Sequence, residues 1–178
     1  MLMAECTPKV PNKQLVLIRH AKSAYPLGVQ DFDRPLSKRG VVDAGAIATW
    51  LKASGVWQRQ VRVVVSSAMR TQETWSLIQV NQVDVAASTE PELYEATPEA
   101  IRSVICETSP AIEVLLVIAH NPGLEDLAAS IASNRHTPAF QQLTDKYPTS
   151  GIAVFEVRDW AKLVPGSALL TDFVVPRG

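Results

Sequence analysis

The chain has 178 residues, 47% of them apolar and 20% charged, with a formal net charge of -1 at pH 7. That length supports one sizeable core, and the composition is that of a globular protein rather than a disordered or fibrous one. The near-neutral balance gives no overall field for nucleic acid or an anionic membrane, and no apolar run approaches the ~20 residues that span a bilayer, so any anion must be held by a local cluster.

The chain opens with MLMAECTPKVPNK, which has two prolines and no continuous apolar stretch. It reads as a loose leader over 1–13 rather than a secretory signal, ahead of a single domain over 14–178. A first strand is predicted over 14–19, QLVLIR. The charged loop DFDRPLSKRG at 31–40 follows, in which Asp33-Arg34-Pro35-Leu36 reads as a structural turn. A helix is predicted over 38–53, starting after Ser37 as N-cap and stopping at Ser54-Gly55, with Val41, Ala44, Ala48 and Leu51 at helical spacing. A strand at 61–66, VRVVVS, leads through Ser66-Ser67 into a helix over 69–80, and a short edge strand is placed at 83–88. Thr97 and Pro98 open a helix over 98–106. The strand VLLVIA at 114–119 precedes a helix over 123–133, and a short helix is placed near 138–145. Strands at 151–158 and 168–175 close the chain. Strands alternating with helices predict a three-layer α/β/α sandwich with a mostly parallel central sheet. Cys6 and Cys106 lack metal-ligand spacing and read as reduced thiols of a cytoplasmic protein.

In such sheets ligands bind outside the carboxyl ends of the strands. The first strand ends at Arg19-His20, the second leads to Arg70, and VLLVIA ends at His120-Asn121-Pro122-Gly123. Two histidines and two arginines therefore fall at one sheet edge. Guanidinium forks match phosphoryl oxygens, and like charge holds a neighbouring imidazole neutral, with a free lone pair that can attack phosphorus. His120, charged once phosphate is bound, is placed to stabilise the transferring group. An acid for the leaving oxygen is sought in PELYEATPE at 91–99, which supplies Glu92, Glu95 and Glu99. Taken singly, each residue has an ordinary reading: surface decoration for Arg19-His20, a satisfied core group for His120, loop charges for Glu92 and Glu95. Lys22 and Ser23 are turn residues or further phosphate donors, and His136 is exposed and inert. Tyr25, Trp50, Trp57 and Tyr94 line the entrance or pack.

Together the segments LVLIRHAKS, DRPLSKRG, SSAMRTQET and VIAHNPGLED resemble, in order, the histidine phosphatase superfamily that also contains cofactor-dependent phosphoglycerate mutases. RHAKS, DRPL and HNPG are most similar to its short phosphohistidine phosphatase branch, the SixA type. The resemblance implies a phosphoglycerate mutase-like fold and a phosphoenzyme on His20, with Arg19, Arg70 and His120 completing the phosphate pocket. It places Lys22, Ser23 and Asn121 among the substrate-binding residues and makes Glu95 the preferred proton donor, with Glu92 second. It calls for no cofactor and no metal. Ala21 stands where the wider family has glycine; alanine costs about 1 kcal/mol there if the backbone needs a positive φ. The expected activity is hydrolysis of a phosphoryl group, from a phosphorylated protein side chain or from a small phosphoester, with neither nucleic acid nor membrane as partner. The rivals are a mutase, a metallohydrolase using both histidines, and a non-catalytic phosphohistidine-binding module. The metallohydrolase lacks a third ligand, and the binding module would not need two histidines.

Overall fold

The computed structural model describes residues 13–81 and 85–178. Leader residues 1–12, Cys6 among them, and positions 82–84 lie outside the described residues. Six strands form one sheet: β1 (Lys13–Arg19), β2 (Val61–Ser66), β3 (Ala87–Glu90), β4 (Val114–Ala119), β5 (Ile152–Val157) and β6 (Leu169–Val174). Lys13, assigned to the leader above, is already the first residue of β1. The order is β3-β2-β4-β1-β5-β6. The pairs β1–β4, β2–β4 and β2–β3 are parallel, whereas β5 and β6 are antiparallel to their neighbours. The edge strand begins four residues later than the predicted 83–88.

Alternation along each strand sends side chains to opposite faces. Leu15, Leu17, Val64, Leu115 and Val117 pack with α3 (Pro98–Cys106), α4 (Gly123–Ile131) and α5 (Pro138–Asp145). Val16, Ile18, Val63, Val65, Leu116 and Ile118 pack with α1 (Lys38–Ala53) and α2 (Met69–Ile78). All six residues of β4 are buried, as expected for a central strand covered on both sides. The three-layer sandwich expected from the strand–helix alternation is the architecture observed.

Local chemistry explains the helix starts. Ser37 accepts a hydrogen bond from the Gly40 amide at 3.1 Å, Thr97 caps α3 through the Ala100 amide, and Thr137 caps α5 through the Phe140 amide. The buried stripe of α1 is Gly40, Asp43, Ala44, Ile47 and Leu51; it includes Ala44 and Leu51 of the expected spacing but neither Val41, which is 47% exposed, nor the half-buried Ala48. Within that stripe Asp43 is paired with Arg39 at 3.5 Å and with Arg177 of the C-terminal tail at 3.0 Å. Helix α2 ends at Ile78 and α4 at Ile131, both short of the predicted limits. Beyond α4, Ala132 forms a bridge with Ala168 that draws the chain out of the helix. Trp50 and Trp57 pack against the α1/α2 core rather than the site. Among the described residues no helix is long and apolar enough to cross a membrane.

Candidate active site

Every strand that bears a predicted site residue delivers it at its carboxyl end. His20 follows β1, Ser66 closes β2, Arg70 sits in the first turn of α2, and His120 joins β4 to α4. The His20 and His120 rings lie 5.1 Å apart, centroid to centroid, and the Nε of Arg70 donates to the Nε2 of His20 at 3.3 Å. His20, Arg70 and His120 are 7%, 6% and 7% exposed, so three polar groups that ordinarily seek water are held together under the surface.

The tautomer of His20 follows from its partners. Its Nδ1 lies 2.7 Å from the carbonyl oxygen of Ala21, which can only accept, so Nδ1 carries the proton. Nε2 keeps its lone pair and faces Arg70. Burial, together with His120, Arg70 and Arg19, pushes the His20 pKa down to about 3. His120 is likewise pushed down to about 3, by burial first and then by Arg70 and Arg19. Both imidazoles are therefore neutral near pH 7. Ala21 does not adopt a positive φ. It is fully buried beside Leu36 and Ala44, and its amide donates to Thr74 Oγ1 at 3.1 Å, so alanine fits where the wider family has glycine.

Ser66 does not cap α2. Ala68 occupies the N-cap position, and the Ser66 hydroxyl instead lies 2.8 Å from Nε2 of His120. His120 Nδ1 is buried without a partner. Arg19 Nη1 donates to the Tyr147 backbone oxygen at 2.7 Å, the Tyr147 hydroxyl donates to the Leu17 carbonyl at 2.7 Å, and Arg19 Nε is buried without a partner. Asn121 donates to the same Tyr147 oxygen at 3.0 Å and to Glu125 at 2.7 Å, while its Oδ1 is buried and unpartnered.

Asp31, Arg70, Glu95, Thr97, His120 and Asn121 border a cleft of ≈ 550 Å³. Gly123 brings its floor and wall together: a Cβ there would stand 2.0 Å from the Ala96 carbonyl oxygen. The adjoining Glu95 holds a left-handed φ of 50°, which is unusual for a side-chain-bearing residue. Of the three glutamates, Glu95 borders the cleft; Glu92 and Glu99 do not. Lys22 and Ser23 are not among the residues that border the cleft, and neither are Arg19 and His20. Lys22 is exposed, with its ammonium 5.7 Å from the Tyr25 ring, and the buried Ser23 hydroxyl accepts from Arg34. His136 is exposed and does not border the cleft.

Two groups here were not picked out by sequence reasoning. Asp31 contacts Arg70 twice, and Tyr94, named above only as entrance or packing, donates its hydroxyl to Asp31 Oδ2 at 3.0 Å and sets its ring edge-on to His120. The one available signal was the density of charge in DFDRP. Among the described residues no group of three or more His, Cys, Asp or Glu side chains is placed to hold a metal ion.

Fold and site together define the class, an α/β phosphatase. Residues 15–156 match the histidine phosphatase superfamily (branch 1), and the chain belongs to that family. A Mycobacterium tuberculosis (strain H37Rv) protein, the uncharacterized Rv1276c, is 39% identical over 163 residues, covering 90% of this chain and 100% of the relative. A protein of Nakamurella multipartitia, provisionally assigned as the phosphohistidine phosphatase SixA, superposes with a TM-score of 0.81 at 25% identity, over 94% of this chain and 98% of that one. Another from Agrobacterium tumefaciens, with the same provisional assignment, gives 0.73 at 30% identity, over 94% and 100%. The chain is SixA-like within the superfamily.

Proposed function

We propose that the protein hydrolyses phosphohistidine on a protein substrate through a covalent phosphohistidine of its own, formed on His20. One observation carries the reading. His20 is locked by the Ala21 carbonyl into the tautomer whose Nε2 lone pair faces Arg70, in a pocket that holds it unprotonated.

In the first step the Nε2 lone pair attacks phosphorus in line, and the bond from phosphorus to the substrate's leaving nitrogen breaks. Arg19, Arg70 and His120 meet the charge spread over the equatorial oxygens. A substrate imidazole protonated on its far nitrogen departs as a neutral group, so no acid need touch the leaving atom. In the second step water attacks the phosphorylated His20. The P–N bond breaks back onto Nε2, inorganic phosphate departs, and His20 returns to its starting tautomer. His120, neutral near pH 7, offers its unpartnered Nδ1 to the phosphoryl group. Asn121 donates to Glu125 and to the Tyr147 backbone oxygen, the same oxygen that accepts from Arg19. The cytoplasmic location and the single domain over 14–178 belong to the same proposal.

A second reading, hydrolysis of a small phosphomonoester, draws on the position of Glu95 at the cleft, where an acid could protonate an alkoxide. Acid-quenched labelling with phosphohistidine protein, sugar phosphates and an aryl phosphate tests both. The first reading expects label on His20 and the highest kcat/KM with phosphohistidine. A preference for sugar phosphates that is lost in Glu95→Gln would replace it with the second, and label on any other residue would end both.

A further inference from the structure

Arg70 is the arginine that the site offers to phosphoryl oxygens, yet its forked edge is already in use. Nη1 donates to the Asp31 carbonyl oxygen at 2.6 Å and Nη2 to Asp31 Oδ2 at 3.0 Å, while Nε faces His20. The carboxylate takes only Nη2, since Nη1 is on the backbone carbonyl. A phosphoryl oxygen that pairs with the same Nη2 N–H must displace Oδ2.

Asp31 is also built to leave. Its side chain is 47% exposed, whereas that of Arg70 is 7% exposed, so the carboxylate can turn to solvent while the guanidinium stays. Its other oxygen, Oδ1, is held 2.7 Å from Arg34 Nη1. Arg34 is fixed independently of Arg70: Nε donates to the Ala24 carbonyl at 3.0 Å, Nη2 donates to Ser23, and the guanidinium lies 3.5 Å from the centre of the Tyr25 ring. Tyr94 is the remaining partner, donating to the same Oδ2 that Arg70 uses. Asp31 can therefore give up Arg70 and remain paired with Arg34.

We propose that Asp31 is an internal competitor for the phosphoryl group, its carboxylate holding Nη2 of Arg70 and yielding it, while staying on Arg34, when phosphoryl oxygens arrive. The inference rests on reading the cleft as a phosphoryl site. Its consequence is uniform: every phosphoryl ligand, substrate or released phosphate, binds more weakly than the arginines alone would allow. For the product this is an advantage, because phosphate left behind after hydrolysis meets a carboxylate ready to replace it.

The test is calorimetric titration of the full chain with inorganic phosphate, for wild type, Asp31→Asn and Tyr94→Phe, with circular dichroism on each to verify folding. Asparagine keeps the size of the side chain and removes its charge, so the phosphate Kd falls by at least about tenfold, on the scale of one charge-assisted hydrogen bond. Tyr94→Phe keeps the ring against His120 and loosens only the hold on Oδ2; its Kd falls by about twofold to fivefold, since a neutral donor is weaker than a charged one. A residue that merely braced Arg70 would give the opposite sign. Phosphate binding unchanged or weakened in a folded Asp31→Asn overturns the proposal, and if that variant does not fold, the same result in Tyr94→Phe does so. Failure of all three proteins to bind phosphate overturns the anion site itself, and the phosphatase reading with it.

Discussion

Arg70 Nε donates to His20 Nε2 across 3.3 Å, and the two side chains come from elements 50 residues apart. The contact does two things. It directs the lone pair of His20 Nε2 at Arg70 Nε, and it keeps a permanent positive charge beside an imidazole that would otherwise take up a proton near neutral pH. The imidazole and the guanidinium are thus oriented by each other.

His20→Ala is expected to abolish phosphoenzyme and turnover together. Arg70→Ala should lower kcat/KM by about 10²–10³-fold, the usual loss for one preorganised donor to a developing oxyanion. Rapid-quench kinetics with an aryl phosphate measures both, and wild-type turnover in either variant would refute the assignment of the site.

Ser66→Ala removes the hydroxyl that lies 2.8 Å from His120 Nε2. With both ring nitrogens then unpartnered, His120 loses the contact that selects its tautomer. The expected result is a kcat reduced by about tenfold with KM little changed, since an orphaned buried polar group costs on that scale. A changed KM at constant kcat would show that Ser66 serves binding alone.

The buried histidines tie stability to pH. His20 and His120 sit at about 3 in the folded protein and near 6.5 when unfolded. Between those values the unfolded chain binds more protons than the folded one, so stability rises with pH and falls on acidification. The contribution is complete above about pH 6.5, and at pH 5 each histidine has lost ~2 kcal/mol of it. Urea unfolding at pH 7 and pH 5 should show the loss, and His20→Asn should reduce it by about half. Equal slopes in wild type and variant would rule out His20 as a source.

Gly123→Ala places a methyl group 2.0 Å from the backbone oxygen of Ala96, where no flexible side chain can yield. The segment carrying Tyr94 and Glu95 must move. A stability loss of about 1–3 kcal/mol is expected, with a fall in activity, read by thermal unfolding and by turnover of the same preparation. A fully active, fully stable variant would show that the close approach is dispensable.

Much of the fold was legible because its elements are strongly patterned. VLLVIA can hardly be other than a covered strand, and Ser37, Thr97 and Pro98 mark helix starts through short-range hydrogen bonds that sequence exposes directly. The misplaced stripe of α1 has a different origin. Asp43 pairs with Arg39 one turn earlier at 3.5 Å and with Arg177, 134 positions away, at 3.0 Å, and no local periodicity encodes the second partner. Ser66 was passed over for a related reason: the histidine that its hydroxyl meets follows β4, 54 positions away.

The same division runs through the site. Arg19, His20, Arg70 and His120 could be singled out because each stands where a strand ends or a helix begins, and strand ends in a parallel sheet share one edge. That much is a consequence of chain order and of the twofold and 3.6-fold repeats of apolar residues. Tertiary structure alone decided the protonation of His20, the partner of His120, the contact of Arg19 with Tyr147, and the carboxylate of Asp31 on Arg70. Those features depend on burial and on contacts between residues tens of positions apart. Desolvation and charge pairing act through distance in space, and a linear pattern does not record that distance.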